Sequence, residues 1–191
     1  MQFSGAILTG GASRRLGQDK TRVRVAGVPL TEIVARSLAS AGASEVIAIG
    51  GAATLVDEVD SLTRWIPDAF PGQGPLGGIV TAFREALCDV LVVLACDTPE
   101  IDSTTPSRLV DALQRNESAA VAFAVVDERE QPLTAAWRIS RCGSILEEAF
   151  ERGERAPRNV LPLIDAVAVT SIPSSAVADV DRPSDLDRYA R

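Results

Sequence analysis

Short apolar runs recur along this chain, and most are followed by a stretch in which apolar residues return every three or four positions. The first run, residues 6–8, predicts a strand that stops abruptly at Gly10-Gly11. Between 30 and 41 the apolar positions Leu30, Ile33, Val34, Leu38 and Ala41 mark one face of a helix, and Gly42 suits its end. Residues 45–49 predict a second strand, 55–59 a short further segment, and 64–67 a third strand leading into a Gly- and Pro-rich loop over 68–78. Helical spacing resumes at 79–87. The run DVLVVLA at 89–95 is the most apolar in the chain, as expected of a central strand covered on both faces. A helix at 107–114, strands at 119–126 and 132–138, a helix at 142–152, a late strand at 166–171 and a short closing helix at 185–189 complete the pattern.

This strand–helix alternation predicts an α/β fold: a single three-layer α/β/α domain around a mostly parallel, Rossmann-like sheet. No internal repeat or low-complexity linker divides residues 1–191, so one domain is expected over the whole of it.

Composition narrows the chemistry. A net charge of −7 argues against a broad nucleic-acid surface, but a few cations and backbone N–H groups can still hold a small anion. With no histidine in the chain, Ser-His-Asp, Cys-His and His-ligated metal chemistry are excluded. Any metal must be held by oxygen, which points to magnesium or a similar hard cation. Cys88, Cys96 and Cys142 are too scattered for a disulfide framework or a zinc site, and Cys96 is expected to be a buried core thiol. The start of the chain does not read as a signal peptide, and no apolar run approaches the ~20 residues of a membrane span. A cytoplasmic protein with neither nucleic-acid nor membrane partners is the expectation.

The strongest local signal is LTGGASRRLGQDK at 8–20. It follows a strand, where α/β sheets bind ligands beyond their carboxyl ends. Gly10, Gly11 and Gly17 permit positive φ and close approach of backbone N–H groups to phosphate, while Arg15 and Lys20 can neutralise it. The stretch is neither GxxxxGK[ST] nor GxGxxG, so a glycine-rich β–α turn with two solvated cations is the plain alternative. Asp97, directly after the apolar strand, would emerge at the same sheet edge, where it could hold Mg²⁺; a turn aspartate before Pro99 is the alternative there.

The 8–20 stretch resembles the LAGGxSxRMGxDK signature of the molybdenum cofactor guanylyltransferase (MobA-type) family. GPLGGI at 74–79, CDTP at 96–99, QPLTAAW at 131–137 and DVDRPSDL at 179–186 resemble, in order, that family's GPLAGI, CDMP, Pro-Leu-x-Ala and NVNTPEDL-like segments. The resemblance implies a fold of the nucleotide-diphospho-sugar transferase type, with residues 1–100 mainly binding nucleotide and 101–191 mainly binding acceptor. It implies nucleotide contacts by Leu8, Thr9, Gly10, Gly11, Lys20, Asp68, Gly74, Pro75, Leu76 and Asp97, with Gly77-Gly78 allowing close approach. Arg15, Lys20 and Asp97 are the implied catalytic group. Asp97 is the implied Mg²⁺ ligand, with Asp179 or Asp181 as candidates to complete the site.

For the acceptor, the resemblance points to Gln131 and Pro132, to the neighbouring Leu133, Trp137 and Arg138, and to Arg155 and Arg158. The implied reaction is in-line attack by the terminal phosphate of molybdopterin (Mo-molybdopterin) on the α-phosphorus of GTP, releasing pyrophosphate. That nucleophile is already ionised, so no general base is needed. Proteins that deliver molybdopterin are expected as partners.

One departure matters: DVD at 179–181 stands where guanylyltransferases carry asparagines, and related molybdopterin cytidylyltransferases are acidic there. Cytidylyl transfer, another NTP transferase of this superfamily, and a non-catalytic nucleotide-binding module are the alternatives.

Overall fold

The computed structural model describes residues 1–10 and 23–189. Nine strands alternate with six α-helices among the described residues. Strand β1 is Ser4–Leu8, β2 Arg24–Val25, β3 Val28–Pro29, β4 Glu45–Ile49, β5 Arg64–Ile66, β6 Val90–Ala95, β7 Val121–Val126, β8 Arg129–Arg138 and β9 Ala166–Val169. The helices are α1 Leu30–Ser40, α2 Leu55–Glu58, α3 Pro75–Glu85, α4 Thr104–Arg115, α5 Ile139–Glu151 and α6 Pro183–Leu186.

Seven of these strands form one sheet in the order β5-β4-β1-β6-β8-β7-β9, and β2 pairs with β3 apart from it. Within the seven-stranded sheet β8 is antiparallel to both its neighbours and the other pairings are parallel. β8 returns from β7 through a tight turn at Asp127 and Glu128, both with positive φ as short hairpins require.

Period-two alternation sends each strand's side chains into two cores. Ile7, Val46, Ala48, Val92 and Leu94 pack with Leu38 of α1 and Leu109 and Leu113 of α4. Ala6, Leu8, Ile47, Ile49, Leu91 and Val93 pack with Ile79 and Phe83 of α3 and Leu146 and Phe150 of α5. That is the expected three-layer α/β/α arrangement. Each fully buried leucine or isoleucine contributes about 1.5–3 kcal/mol. Gly5 is part of this fit: a Cβ there would come within 2.9 Å of Leu38, so its absence lets α1 settle onto β1.

At the amino ends of β1 and β4 the polar groups satisfy one another. Glu45, 3% exposed, accepts from the Ser4 hydroxyl and the Leu87 backbone N–H and pairs with Arg64 at 3.1 Å. Ser4 Oγ in turn accepts from the Cys88 backbone N–H.

Two sequence expectations change. The stretch 75–78 is not loop: α3 starts at Pro75 and ends at Glu85, ahead of the expected 79–87. Proline is favoured at the first helical position, and Gly74, at φ 84, makes the turn into it. The expected acceptor-facing Trp137 is instead wholly buried, edge-on to Phe83.

Candidate active site

A cleft of about 920 Å³ opens at the carboxyl edge of the sheet, within the usual range for a ligand site. Its floor follows the strand order. Trp65, Pro67 and Asp68 come from β5 and its exit, Ile49, Gly50 and Gly51 from β4, Leu8, Thr9 and Gly10 from β1, and Ala95, Cys96 and Asp97 from β6. Leu133 of β8 and Asp181 close the far side, and Pro71, Gly72, Gly74, Pro75 and Gly78 form a lip.

The ends of β1 and β4 are bound together. The Thr9 hydroxyl shares its one proton between the carbonyls of Ile49 (2.9 Å) and Gly50 (2.8 Å), and the Thr9 and Gly10 N–H groups both reach the Ile49 carbonyl. Gly50 and Gly51 have φ of 78° and 66°. A Cβ on Gly50 would lie 3.2 Å from Gly10 Cα, and one on Gly51 would lie 2.9 Å from Thr9 Oγ1, so only glycine fits both demands.

Asp68 turns back on its own loop, accepting from the Phe70 N–H at 2.9 Å and from Thr81 Oγ1 at 3.3 Å. The lip is held from behind. Arg155 donates to the Phe150 and Glu154 carbonyls and to Gln73 Oε1, stacks over the Phe150 ring at 4.3 Å, and its own carbonyl accepts the Leu76 N–H.

Across the cleft, Val180 donates its N–H to the Asp97 carbonyl at 2.9 Å, which runs residues 179–181 alongside the end of β6. Val180 is anchored in a small core with Val23 and Leu30. Asp185 accepts the N–H groups of Arg182 and Asp181, and these bonds lower its carboxyl below the ordinary range.

The structure thus gathers Leu8, Thr9, Gly10, Asp68, Gly74, Pro75, Asp97 and Asp181 around one cleft. Gly11, Gly17, Arg15 and Lys20 lie outside the described residues. Others of the expected group sit elsewhere. Leu76 is wholly buried in the core below the cleft, and Asp179 is exposed. Gly77 receives Phe70 and Phe150 rather than a ligand, a Cβ there meeting them at 3.0 and 3.2 Å, whereas Gly78 does line the cleft, against Leu8.

In the acceptor segment it is Leu133, beside Gln131 and the buried Pro132, that lines the cleft. The Arg138 guanidinium is spent on the carbonyls of Leu113, Glu117 and Ala119. Arg155 is committed to the lip, and Arg158 is exposed on the 3₁₀ turn Pro157–Asn159. Sequence reading missed Gly50-Gly51 and Trp65. The signal was there: a glycine pair closes the 45–49 run as Gly10-Gly11 closes the first.

Among the described residues, the charged side chains lining the cleft are the three carboxylates Asp68, Asp97 and Asp181. Such a site binds a polyphosphate only with cations supplied to it. Residues 8–167 carry most of this architecture, and over residues 5–167 the chain matches the family model for the MobA-like NTP transferase domain. The chain belongs to that family.

Known MobA-like relatives match nearly end to end. A probable molybdenum cofactor guanylyltransferase of Opitutus terrae is 32% identical, covering 99% of this chain and 95% of the relative. The molybdenum cofactor guanylyltransferase of Serratia proteamaculans is 30% identical over 90% of this chain and 83% of its own.

Among solved structures, molybdopterin-guanine dinucleotide biosynthesis protein A from Archaeoglobus fulgidus superposes with a TM-score of 0.75 at 24% identity, covering 97% of this chain and 96% of that one. The 2-C-methyl-D-erythritol 4-phosphate cytidylyltransferase from Thermus thermophilus does so at 0.73 with 14% identity, covering 96% and 95%. Both share the MobA-like fold seen here. No helix of the described residues is long and apolar enough to cross a membrane.

Proposed function

We propose that this MobA-like chain is a molybdenum cofactor guanylyltransferase, transferring GMP from GTP to the terminal phosphate of molybdopterin with release of pyrophosphate. The observation that carries this reading is the cleft itself. The Gly10 end of the phosphate stretch lies on the same floor as Asp97 and Asp181, and relatives of that name match almost the whole chain.

The donor set suits a magnesium ion. Its charged donors are all carboxylate oxygens, and among the described residues no three of His, Cys, Asp or Glu form a ready-made cage. Phosphate and water oxygens would complete the shell, as is usual for magnesium on nucleotides. Asp97 would hold the ion, with Asp181 beside it; when bound, the ion offsets the charge that builds on the α-phosphate.

The protein's own work is positioning and electrostatics. Arg15 and Lys20 bind the triphosphate, Asp97 sets its position, and the acceptor enters from the Leu133 side. The molybdopterin phosphate attacks already ionised, so no side chain removes a proton. The strand order supports this layout, because phosphate, carboxylate and acceptor elements follow one another from β1 to β6 to β8.

DVD at 179–181 favours a second reading, cytidylyl transfer to the same acceptor, since Asp181 lies in the cleft where the guanylyltransferase pattern has asparagine. Calorimetry with GTP, CTP, ATP and UTP in Mg²⁺ separates the two. A GTP preference, together with pyrophosphate release from GTP and molybdopterin, supports the first; a CTP preference overturns it. Tight GTP binding without pyrophosphate release would leave a binding module.

A further inference from the structure

Trp65 has no role in what precedes, yet it stands at one end of the cleft. β5 is one of the sheet's two edge strands, and Trp65 pairs in register with Ala48 of β4. Its indole N–H donates to the Gly50 carbonyl at 2.7 Å, the same oxygen that accepts the Thr9 hydroxyl at 2.8 Å. The Thr9 proton is shared with the Ile49 carbonyl, so among the described residues the indole N–H is the one undivided side-chain donor to that oxygen, and the Gly50–Gly51 peptide is held from two sides. The Gly50 N–H is fixed as well, donating to the Ile66 carbonyl at 2.8 Å.

The strand order gives this end of the cleft its chemistry. Cation, phosphate and acceptor groups belong to β1, β6 and β8, leaving the β4–β5 end for the rest of the nucleotide. That end is walled by Gly50, Gly51, Trp65, Pro67 and Pro71, which are flat or small and uncharged, with the Asp68 carboxylate beside them. Such a wall suits the face and edge of a nucleobase.

We propose that Trp65 is a positioning residue for nucleobase binding: its indole N–H orients the Gly50–Gly51 turn, and its ring closes the base end of the cleft. This rests on the nucleotidyltransferase reading above. Trp65 acts on ground-state binding of the nucleotide and touches no reacting atom, so its loss separates KM from kcat.

The chain has two tryptophans, and Trp137 is wholly buried, so a ligand-dependent change in tryptophan emission reports on Trp65. In the wild-type protein, GTP with Mg²⁺ reduces the acrylamide-quenchable part of the emission. Trp65→Phe, which keeps a ring but removes the N–H, loses the GTP response and raises KM for GTP roughly 5- to 10-fold, with kcat changed less than about twofold. Trp65→Leu, lacking both ring and N–H, raises KM further.

A melting temperature for each variant shows whether it has folded, and the wild-type quenching needs no variant at all. Wild-type affinity for GTP in folded Trp65→Phe, or an unchanged wild-type quenching profile under saturating GTP, overturns the role of Trp65 alone. No binding of any nucleoside triphosphate to the wild-type protein overturns the nucleotidyltransferase reading with it.

Discussion

The Val180 N–H and the Asp97 carbonyl, 2.9 Å apart, join the tail of the chain to the end of the central strand. Because of that bond, Asp97 and Asp181 reach one cleft from segments more than eighty positions apart in sequence. Asp97→Asn keeps the shape and removes the charge. We expect it to lower turnover by about 100-fold or more, the scale for losing one preorganised electrostatic group, with the melting temperature nearly unchanged. Asp181→Asn should cost less, roughly 10-fold, and raise the Mg²⁺ concentration needed for half-maximal rate. A magnesium titration of both variants checks the assignment, and an unchanged magnesium requirement in Asp181→Asn would remove Asp181 from the site.

Arg155 braces the lip of the cleft from outside it. Arg155→Ala removes three side-chain hydrogen bonds and the stack on Phe150, and leaves Gln73 without that partner. The expected loss is about 2 kcal/mol of stability, or some 4–8 °C in melting temperature for a chain of this size. GTP KM should rise and kcat should hold, since the lip carries Gly74 and Pro75 but no charged group. Arg155→Lys should rescue little, because a point charge cannot make forked hydrogen bonds and stack together. If Arg155→Ala instead raised KM for molybdopterin alone, the residue would be an acceptor contact after all.

Much of the fold could be read from the chain, because periodicity reports burial directly. All but the first residue of DVLVVLA forms the central strand β6 with both faces covered, and Leu30, Val34 and Leu38 of the expected helical face are buried by α1, with Ile33 and Ala41 half-buried. What failed was punctuation. Gly and Pro at 74–78 read as loop, but a proline at the first helical turn and glycines packed under Phe70, Phe150 and Leu8 are compatible with a helix. Long-range polar commitments were equally invisible. Nothing local marks Arg138 as bonding three carbonyls of residues 113–119, or Arg155 as a brace. At the site, carboxylates next to strand ends were legible, whereas Trp65 became visible only once Gly50 lay beside it.

Acid should loosen the Asp181 segment only after pH has fallen below the ordinary aspartate range. Asp185 holds the Arg182 and Asp181 N–H groups, and its carboxyl is lowered mainly by those bonds, in that order. A lowered carboxyl contributes stability that is complete above the ordinary aspartate range and is lost as pH falls through the lowered value. Two-dimensional NMR should therefore show the Asp185 carboxyl titrating below the ordinary range, with the Asp181 and Arg182 amides moving alongside it. Asp185→Asn should abolish that coupled titration.

The opposite end of the sheet provides a control. Glu45→Ala would leave Ser4 Oγ, the Leu87 N–H and Arg64 without their shared acceptor in a site only 3% exposed. Arg64 is partly exposed and keeps Glu85 at 3.1 Å, so the cost comes from the orphaned buried donors and is about 1–3 kcal/mol. The cleft lies at the far ends of the same strands, so KM and kcat should be unchanged below the melting temperature. Loss of activity in parallel with stability at 25 °C would mean that the two ends are coupled.

Gly50 tests whether the junction of β1 and β4 governs the phosphate end. Alanine there would be held at φ 78 with its methyl 3.2 Å from Gly10 Cα and 3.3 Å from Gly10 N. The strained backbone alone costs of order 1–3 kcal/mol. Relief requires moving Gly10, where the phosphate stretch begins, or Asp68, whose Cβ is 3.4 Å away. Either movement displaces groups meant to meet the nucleotide, so Gly50→Ala should lower kcat/KM for GTP by roughly 10- to 100-fold, because small misplacements near reacting groups carry large rate penalties. Gly42→Ala makes the comparison fair: φ is 90 there and no atom lies within 4 Å of the added methyl, so it bears similar backbone strain away from the cleft. It should lose stability and keep its kinetics. Equal kinetic losses in the two variants would show that strain, and not contact with Gly10, is what the site feels.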